Sequence, residues 1–182
     1  PEFPIERYEF QLAVHRDGSF YKPHLDKFSS KFFVAPANEY EVQIAVPKLR
    51  TISFKDKNGQ DAKMHMLQFP SRIIASADGD KEFANKPLTI DVAIDFDRED
   101  GFDRALKFFM ATQGIRAGTD EGDAEFRNRF GDADLSVDPD NGTIGNGWLK
   151  AQDCRVIANM SAEMDKKGEL RNRLKSARPF NS

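Results

Sequence analysis

Cysteine is almost absent from this chain. Of its 182 residues only Cys154 is a cysteine, so no disulfide can close within it, and a reducing, cytoplasmic setting is expected. Cys154 falls in an alternating pattern and reads as a buried, inert thiol. Histidine is scarce too: His15, His24 and His65 show no HExxH or HxH spacing, and with one cysteine no zinc cluster assembles. A Walker loop, a dinucleotide fingerprint and a G-x-S-x-G elbow are all missing. The one enzyme-like pattern is Pro139-Asp140 followed by Asp165-Lys166-Lys167. It faintly matches the Pro-Asp…Asp-x-Lys metal site of restriction-type nucleases, but both halves sit in turn-like sequence. No catalytic residue, metal site or cofactor is therefore expected. No apolar run approaches the ~20 residues of a membrane span, so no membrane association is expected. The N-terminus lacks a charged region followed by an apolar run, so no signal peptide is expected, and Pro1-Glu2-Phe3 reads as a cloning remnant.

Net charge is also small, at −3, but its distribution is uneven. Residues 91–141 carry 14 acidic and 6 basic residues, a net −8, which leaves +5 on the rest. An acidic protein can still bind nucleic acid if its cations share a face, because phosphate contacts respond to local charge.

What the chain does have is alternation. Hydrophobic residues make up 39%, and five runs read as strands: Tyr40–Phe54, Lys63–Ala75, Pro87–Phe96, Trp148–Met160 and Glu169–Ala177. Pro47 bends the first, and Asn58-Gly59 marks a hairpin. Phe102, Leu106, Phe109 and Met110 form one stripe of a helix over 102–113, closed by Gly114. Residues 115–147 hold six glycines and many aspartates without a sustained period, and read as a long acidic loop. Ahead of all this, residues 1–36 are expected to form an N-terminal arm packed on the barrel, in which Phe20, Tyr21, Phe32 and Phe33 interleave with Lys22, His24 and Lys31. The order β-β-β-α-β-β predicts a mainly β domain over 37–182: a five-stranded OB-fold Greek-key barrel with one helix between strands three and four.

The same stretch resembles phage-encoded OB-fold single-stranded DNA-binding proteins. The resemblance rests on Tyr40-Glu41-Val42-Gln43-Ile44, Lys57-Asn58-Gly59-Gln60, Gly101-Phe102-Asp103-Arg104-Ala105-Leu106-Lys107-Phe108, Gly147-Trp148-Leu149-Lys150-Ala151 and Asn172-Arg173-Leu174. It implies binding of single-stranded DNA without sequence preference, in phage replication or recombination and hence in a host cytoplasm. Many such proteins end in an acidic tail with a terminal Pro-Phe. This chain ends Arg178-Pro179-Phe180-Asn181-Ser182, so its acidic segment 91–141 becomes the expected contact for replication or recombination proteins. The oligomeric state is left open, a homo-oligomer included. The alternative is a protein-interaction or virion accessory β-barrel that binds no nucleic acid.

The expected binding residues follow from strand faces. Arg171, Arg173 and Lys175 share one face of the last strand, next to Lys166 and Lys167 in the preceding turn. Lys48, Arg50, Lys55 and Lys57 are expected to form the opposite wall. Trp148, beside Lys150 and after a Gly-Asn-Gly run, is the expected stacking platform. Phe54 and Phe69 are further aromatic candidates, whereas Tyr40, Phe96, Phe102 and Phe109 are assigned to the core.

Overall fold

A computed structural model describes residues 33–181; the expected arm segments over 4–32 lie outside the described residues. The described elements belong to the second of two compact units, Val34–Ser182. The strands are β1 (Asn38–Ile44), β2 (Lys48–Lys55), β3 (Asp61–Ser76) and β4 (Pro87–Ile94), then β5 (Val137–Asp138), β6 (Thr143–Ile144), β7 (Arg155–Met164) and β8 (Leu170–Pro179). The helices are α1 (Asp103–Thr112) and α2 (Asp120–Phe130), with a 3-10 helix at Asn146–Ala151. None of these helices is long and apolar enough to cross a membrane.

Six strands build one strongly curled antiparallel sheet, half a barrel. The alternation over 40–54 produces two strands rather than one, because Ala45-Val46-Pro47 interrupts the ladder. Both still lie end to end on the same side of β3, from Tyr40↔Ser76 to Ile44↔Ser71 and from Lys48↔Gln68 to Lys55↔Asp61. The sheet therefore has five rows: β4, β3, β1 with β2, β7, β8. Since β3 and β7 are antiparallel to β1, and β4 and β8 antiparallel to them, β4 and β8 both run parallel to β1. These two approach each other across the open side without pairing.

Two hairpins share one turn chemistry. In Asp56-Lys57-Asn58-Gly59-Gln60 the Asp56 carboxylate accepts from the backbone N–H groups of Asn58 (2.8 Å) and Gln60 (2.9 Å), and Gly59 takes φ +76°. In Asp165-Lys166-Lys167-Gly168-Glu169 the Asp165 carboxylate accepts from Lys167 (2.8 Å) and Glu169 (3.0 Å), and Gly168 takes φ +78°. Aspartate supplies the side-chain acceptor and glycine the left-handed residue, so each turn closes a tight hairpin and lifts lysines to its tip.

The core lies between the sheet and α1. Tyr40, Val42, Ile44, Leu67, Phe69, Ile73, Ile90, Val92, Val156 and Met160 point inward and are buried. Phe108 of α1 meets Phe69 with ring centroids 4.6 Å apart. The expected helical stripe is buried only in part: Phe109 and Met110 are buried, Phe102 and Leu106 half-buried, and Ala105, Phe108, Ala111 and Thr112 complete the buried face. Gly114, at φ +77°, ends α1 as expected. Its N–H donates to Ala111 and that of Ile115 to Met110, the paired closure that satisfies the last carbonyls.

The segment 115–147 is not the open loop that composition suggested. Thr119 caps α2, its Oγ1 accepting from Gly122 N–H at 3.1 Å, with Asp120, Glu121 and Asp123 in the first turn and Arg127 and Arg129 in the last. Both ends complement the helix dipole. Phe126 and Phe130 stack on one another and both meet Phe109 edge-on. The fourth expected strand also changes. Trp148 and Lys150 belong to the 3-10 helix, and β7 starts only at Arg155.

Candidate nucleic-acid interface

The predicted basic face on β8 exists, but it is not bare. Arg171, Arg173 and Lys175 are all exposed. Arg171 pairs with Asp165 (2.7 Å) and Glu169 (2.5 Å), Arg173 with Glu163 (3.5 Å), and Lys175 with the same Glu163. Three cations thus meet three carboxylates, which cancels most of the attraction they would offer a phosphate. Lys166 and Lys167 at the turn tip are exposed and have no ion-pair partner among the described residues.

The turn anchor has a pH signature. Hydrogen bonds from Glu169 N–H and from Arg171 hold the Asp165 carboxyl down to about 2. Lys175 and Ser161 likewise hold Glu163 below the usual carboxylate range. A depressed carboxylate stabilises the fold above its unfolded pKa and loses that contribution as pH falls through its folded value. The β7–β8 turn should therefore be intact above about pH 4 and loosen as the pH falls toward about 2. Carbon-detected carboxylate titration, with amide exchange at Lys167 and Glu169, checks this. A midpoint for Asp165 near the ordinary value of about 4 would refute the anchoring role.

The predicted opposite wall divides. Lys48 and Arg50 share the outer face of β2 with Phe54, and by register with Met64 and Ala93. Arg50 pairs with Asp91 at 3.2 Å. Lys55 is on the other face, paired with Asp61 at 2.6 Å. Lys57 stands exposed at the turn tip.

Trp148 is 0% exposed and cannot present its ring to a base. Its ring meets Phe109 at 5.4 Å, and its Nε1–H has no acceptor among the described residues. The Gly-Asn-Gly run before it does not free the ring. A Cβ on Gly145 or Gly147 would sit 2.3 or 2.6 Å from the Asp134 carbonyl oxygen, so those glycines let two backbones close together and turn the indole inward. Lys150 stays exposed, but without an aromatic partner at Trp148. Phe69 is core, at 0%. Phe96 moves the other way: assigned to the core, it is 41% exposed. Cys154 is half-buried, its thiol pushed up by that burial.

The exposed aromatics gather elsewhere. A groove of about 900 Å³ runs from the β2–β3 end of the sheet to the start of α1. Phe54 (45% exposed), Met64 (40%) and Phe96 (41%) line it. His65 meets Phe96 edge-on at 5.3 Å, and Phe102 supports Phe96 from the other side at 5.5 Å. Lys63, Arg98, Arg104 and Lys107 also line it, as do Asp95, Asp97, Asp100 and Asp103. Arg98 is committed to Asp100 through two bonds of 2.9 and 2.8 Å. Lys63 and Lys107 have no ion-pair partner among the described residues. Gly101 shapes the floor: a Cβ there would lie 1.7 Å from the Asp95 carbonyl oxygen, so only glycine lets the loop before α1 fold back on β4.

Arg104 and Lys107 also line a second cleft, between α1 and β8. Sequence reasoning missed this shared pair because both fall in the segment counted as acidic. The available signal was their i, i+3 spacing on the helix face turned away from the buried stripe. Among the described residues no group of three or more His, Cys, Asp or Glu side chains could hold a metal ion. No protein-family model, curated protein or solved structure matches the chain.

Proposed function

We propose that the protein binds single-stranded nucleic acid without sequence preference, with bases on the Phe54–His65–Phe96 groove and phosphates on Lys63, Arg104 and Lys107. The observation that carries this reading is the exposure of two aromatic rings and a methionine beside Lys63, Arg104 and Lys107, which form no ion pair among the described residues. Apolar surface of that kind is costly in water, and stacked bases would cover it. The five-row order, with β4 and β8 parallel to β1 and α1 between β4 and β7 in the chain, supports an OB-fold as the scaffold. The resemblance noted above is what supports a role for such binding in phage replication or recombination. Exposed Asp120, Glu121 and Asp123 at the start of α2 are the proposed contact for replication or recombination proteins.

A protein-interaction barrel is the second reading. Neutralisation of the β8 face and the four aspartates around the groove favour it, since both weaken attraction for a polyanion.

A gel-shift series with a short single strand and the matching duplex, over rising salt, separates the two. The first reading expects single-strand binding that weakens steeply with salt, and weaker duplex binding. No retention of the single strand even at low salt would overturn it and leave the protein-interaction reading.

A further inference from the structure

The cleft between α1 and β8 differs in kind from the groove beside it. It encloses about 510 Å³ and is lined by Arg104, Lys107, Arg116, Lys175 and Arg178, with no acidic side chain. Its floor is apolar, from Phe108, Ile115, Leu174 and Pro179. Arg104 is braced by a bond from Nη2 to the Leu174 carbonyl at 3.2 Å, so its guanidinium is held at the rim. Lys107 and Arg116 have no ion-pair partner among the described residues. Lys175 and Arg178 are paired with Glu163 and Glu39, which do not line the cleft.

Arg104, Lys107 and Arg116, which pair with no carboxylate among the described residues, converge on this concavity and raise the local potential, a focused field that an anion relieves. The aromatic groove, by contrast, carries four cations against four aspartates and is close to neutral. We infer that the α1–β8 cleft is a second lobe of the nucleic-acid site: the strand crosses the Arg104–Lys107 ridge, and its sugar-phosphate backbone continues into the cleft. This rests on the binding function proposed above. Continuity through two shared cations favours a nucleic-acid strand over an acidic peptide, because the same ridge would hold consecutive phosphates. The bases are then read by the neutral lobe and the phosphates by the basic one.

The test uses Arg116→Ala, a residue that lines the cleft and not the groove. Arg116 is exposed, so the fold should persist, which a thermal melt checks. Fluorescence anisotropy is measured with labelled single strands of about 5 and about 15 nucleotides, within the range that one small barrel covers. With the long strand, loss of one phosphate contact should flatten the salt slope by about 0.7 and weaken binding roughly threefold at about 0.2 M salt. The short strand, held in the groove alone, should bind the variant as it binds the wild type. An unchanged slope with the long strand would overturn the second lobe while leaving the groove reading intact. Equal weakening of both lengths would also overturn it, since it would make the cleft the primary site. Failure of the wild type to bind either strand would instead sink the binding function itself. A poly-glutamate peptide that binds the wild type but not the variant, with the strand's salt slope unchanged, would assign the cleft to an acidic protein partner.

Discussion

Trp148→Ala should destabilise the protein by about 3–5 kcal/mol, the range for removing a large aromatic from a core. That is a large share of the about 5–15 kcal/mol that holds a typical domain together. The size follows from position. Trp148 is fully buried against Phe109, and Phe109 in turn meets Phe126 and Phe130 of α2. One indole therefore ties the 3-10 helix to α1 and, through Phe109, to α2. Trp148→Phe should cost much less: it keeps an aromatic edge and removes an Nε1–H that has no acceptor among the described residues, whose burial itself costs about 1–3 kcal/mol. Chemical denaturation of both variants measures the difference. A cost below about 1 kcal/mol for the alanine variant would mean that the cluster is not packed as described. The lone tryptophan also reports directly. Its emission should be blue-shifted, resistant to acrylamide and unmoved by a single-stranded oligonucleotide.

Strands were readable where one face is buried. The alternation Leu88, Ile90, Val92, Ile94 delivers β4, and Asp56-Lys57-Asn58-Gly59 delivers the β2–β3 hairpin. A period of two and a turn residue are local properties, and no tertiary information is needed to see them. Helix α2 was not readable. Its large apolar side chains are Phe126 and Phe130 alone, so periodicity says little, and what starts it is the Thr119 cap and the acidic first turn. In Trp148 the sequence misleads for a different reason. Glycines beside an aromatic fit exposure equally well with close backbone packing, and only the position of Asp134 decides between them.

The candidate site was less legible than the fold, because charge pairing depends on register. Arg171 lies directly opposite Glu163, and Arg173 opposite Ser161, only once the β7–β8 ladder is set. Counted along the chain, β8 is a basic strand; in the sheet it is a ladder of ion pairs. The segment 91–141 shows the reverse error. Its average is strongly acidic, yet it supplies Arg104, Lys107 and Arg116, three of the five cations of the α1–β8 cleft. A window average mixes the two faces of a helix, whereas a phosphate meets only one.

The second large effect is on binding. Phe54→Ala/Phe96→Ala should lower affinity for single-stranded DNA by roughly 10–100-fold or more, from about 1–3 kcal/mol per stacked base. Both rings are exposed at the groove, at 45% and 41%, so their loss removes little packing. Phe96 does brace against His65 and Phe102. A thermal melt must therefore accompany the binding curve, and Phe54→Ala alone, which lacks those ring contacts, is the cleaner of the single variants. The salt slope separates stacking from charge. Removing a ring should shift the curve of log affinity against log salt downward without tilting it, because no counterion-releasing contact is lost. Removing Lys107 as Lys107→Ala should tilt it instead. Unaltered affinity in a folded Phe54→Ala/Phe96→Ala protein would mean that the groove does not hold bases. A tilt without a shift would move the bases off these rings while keeping the phosphate contacts.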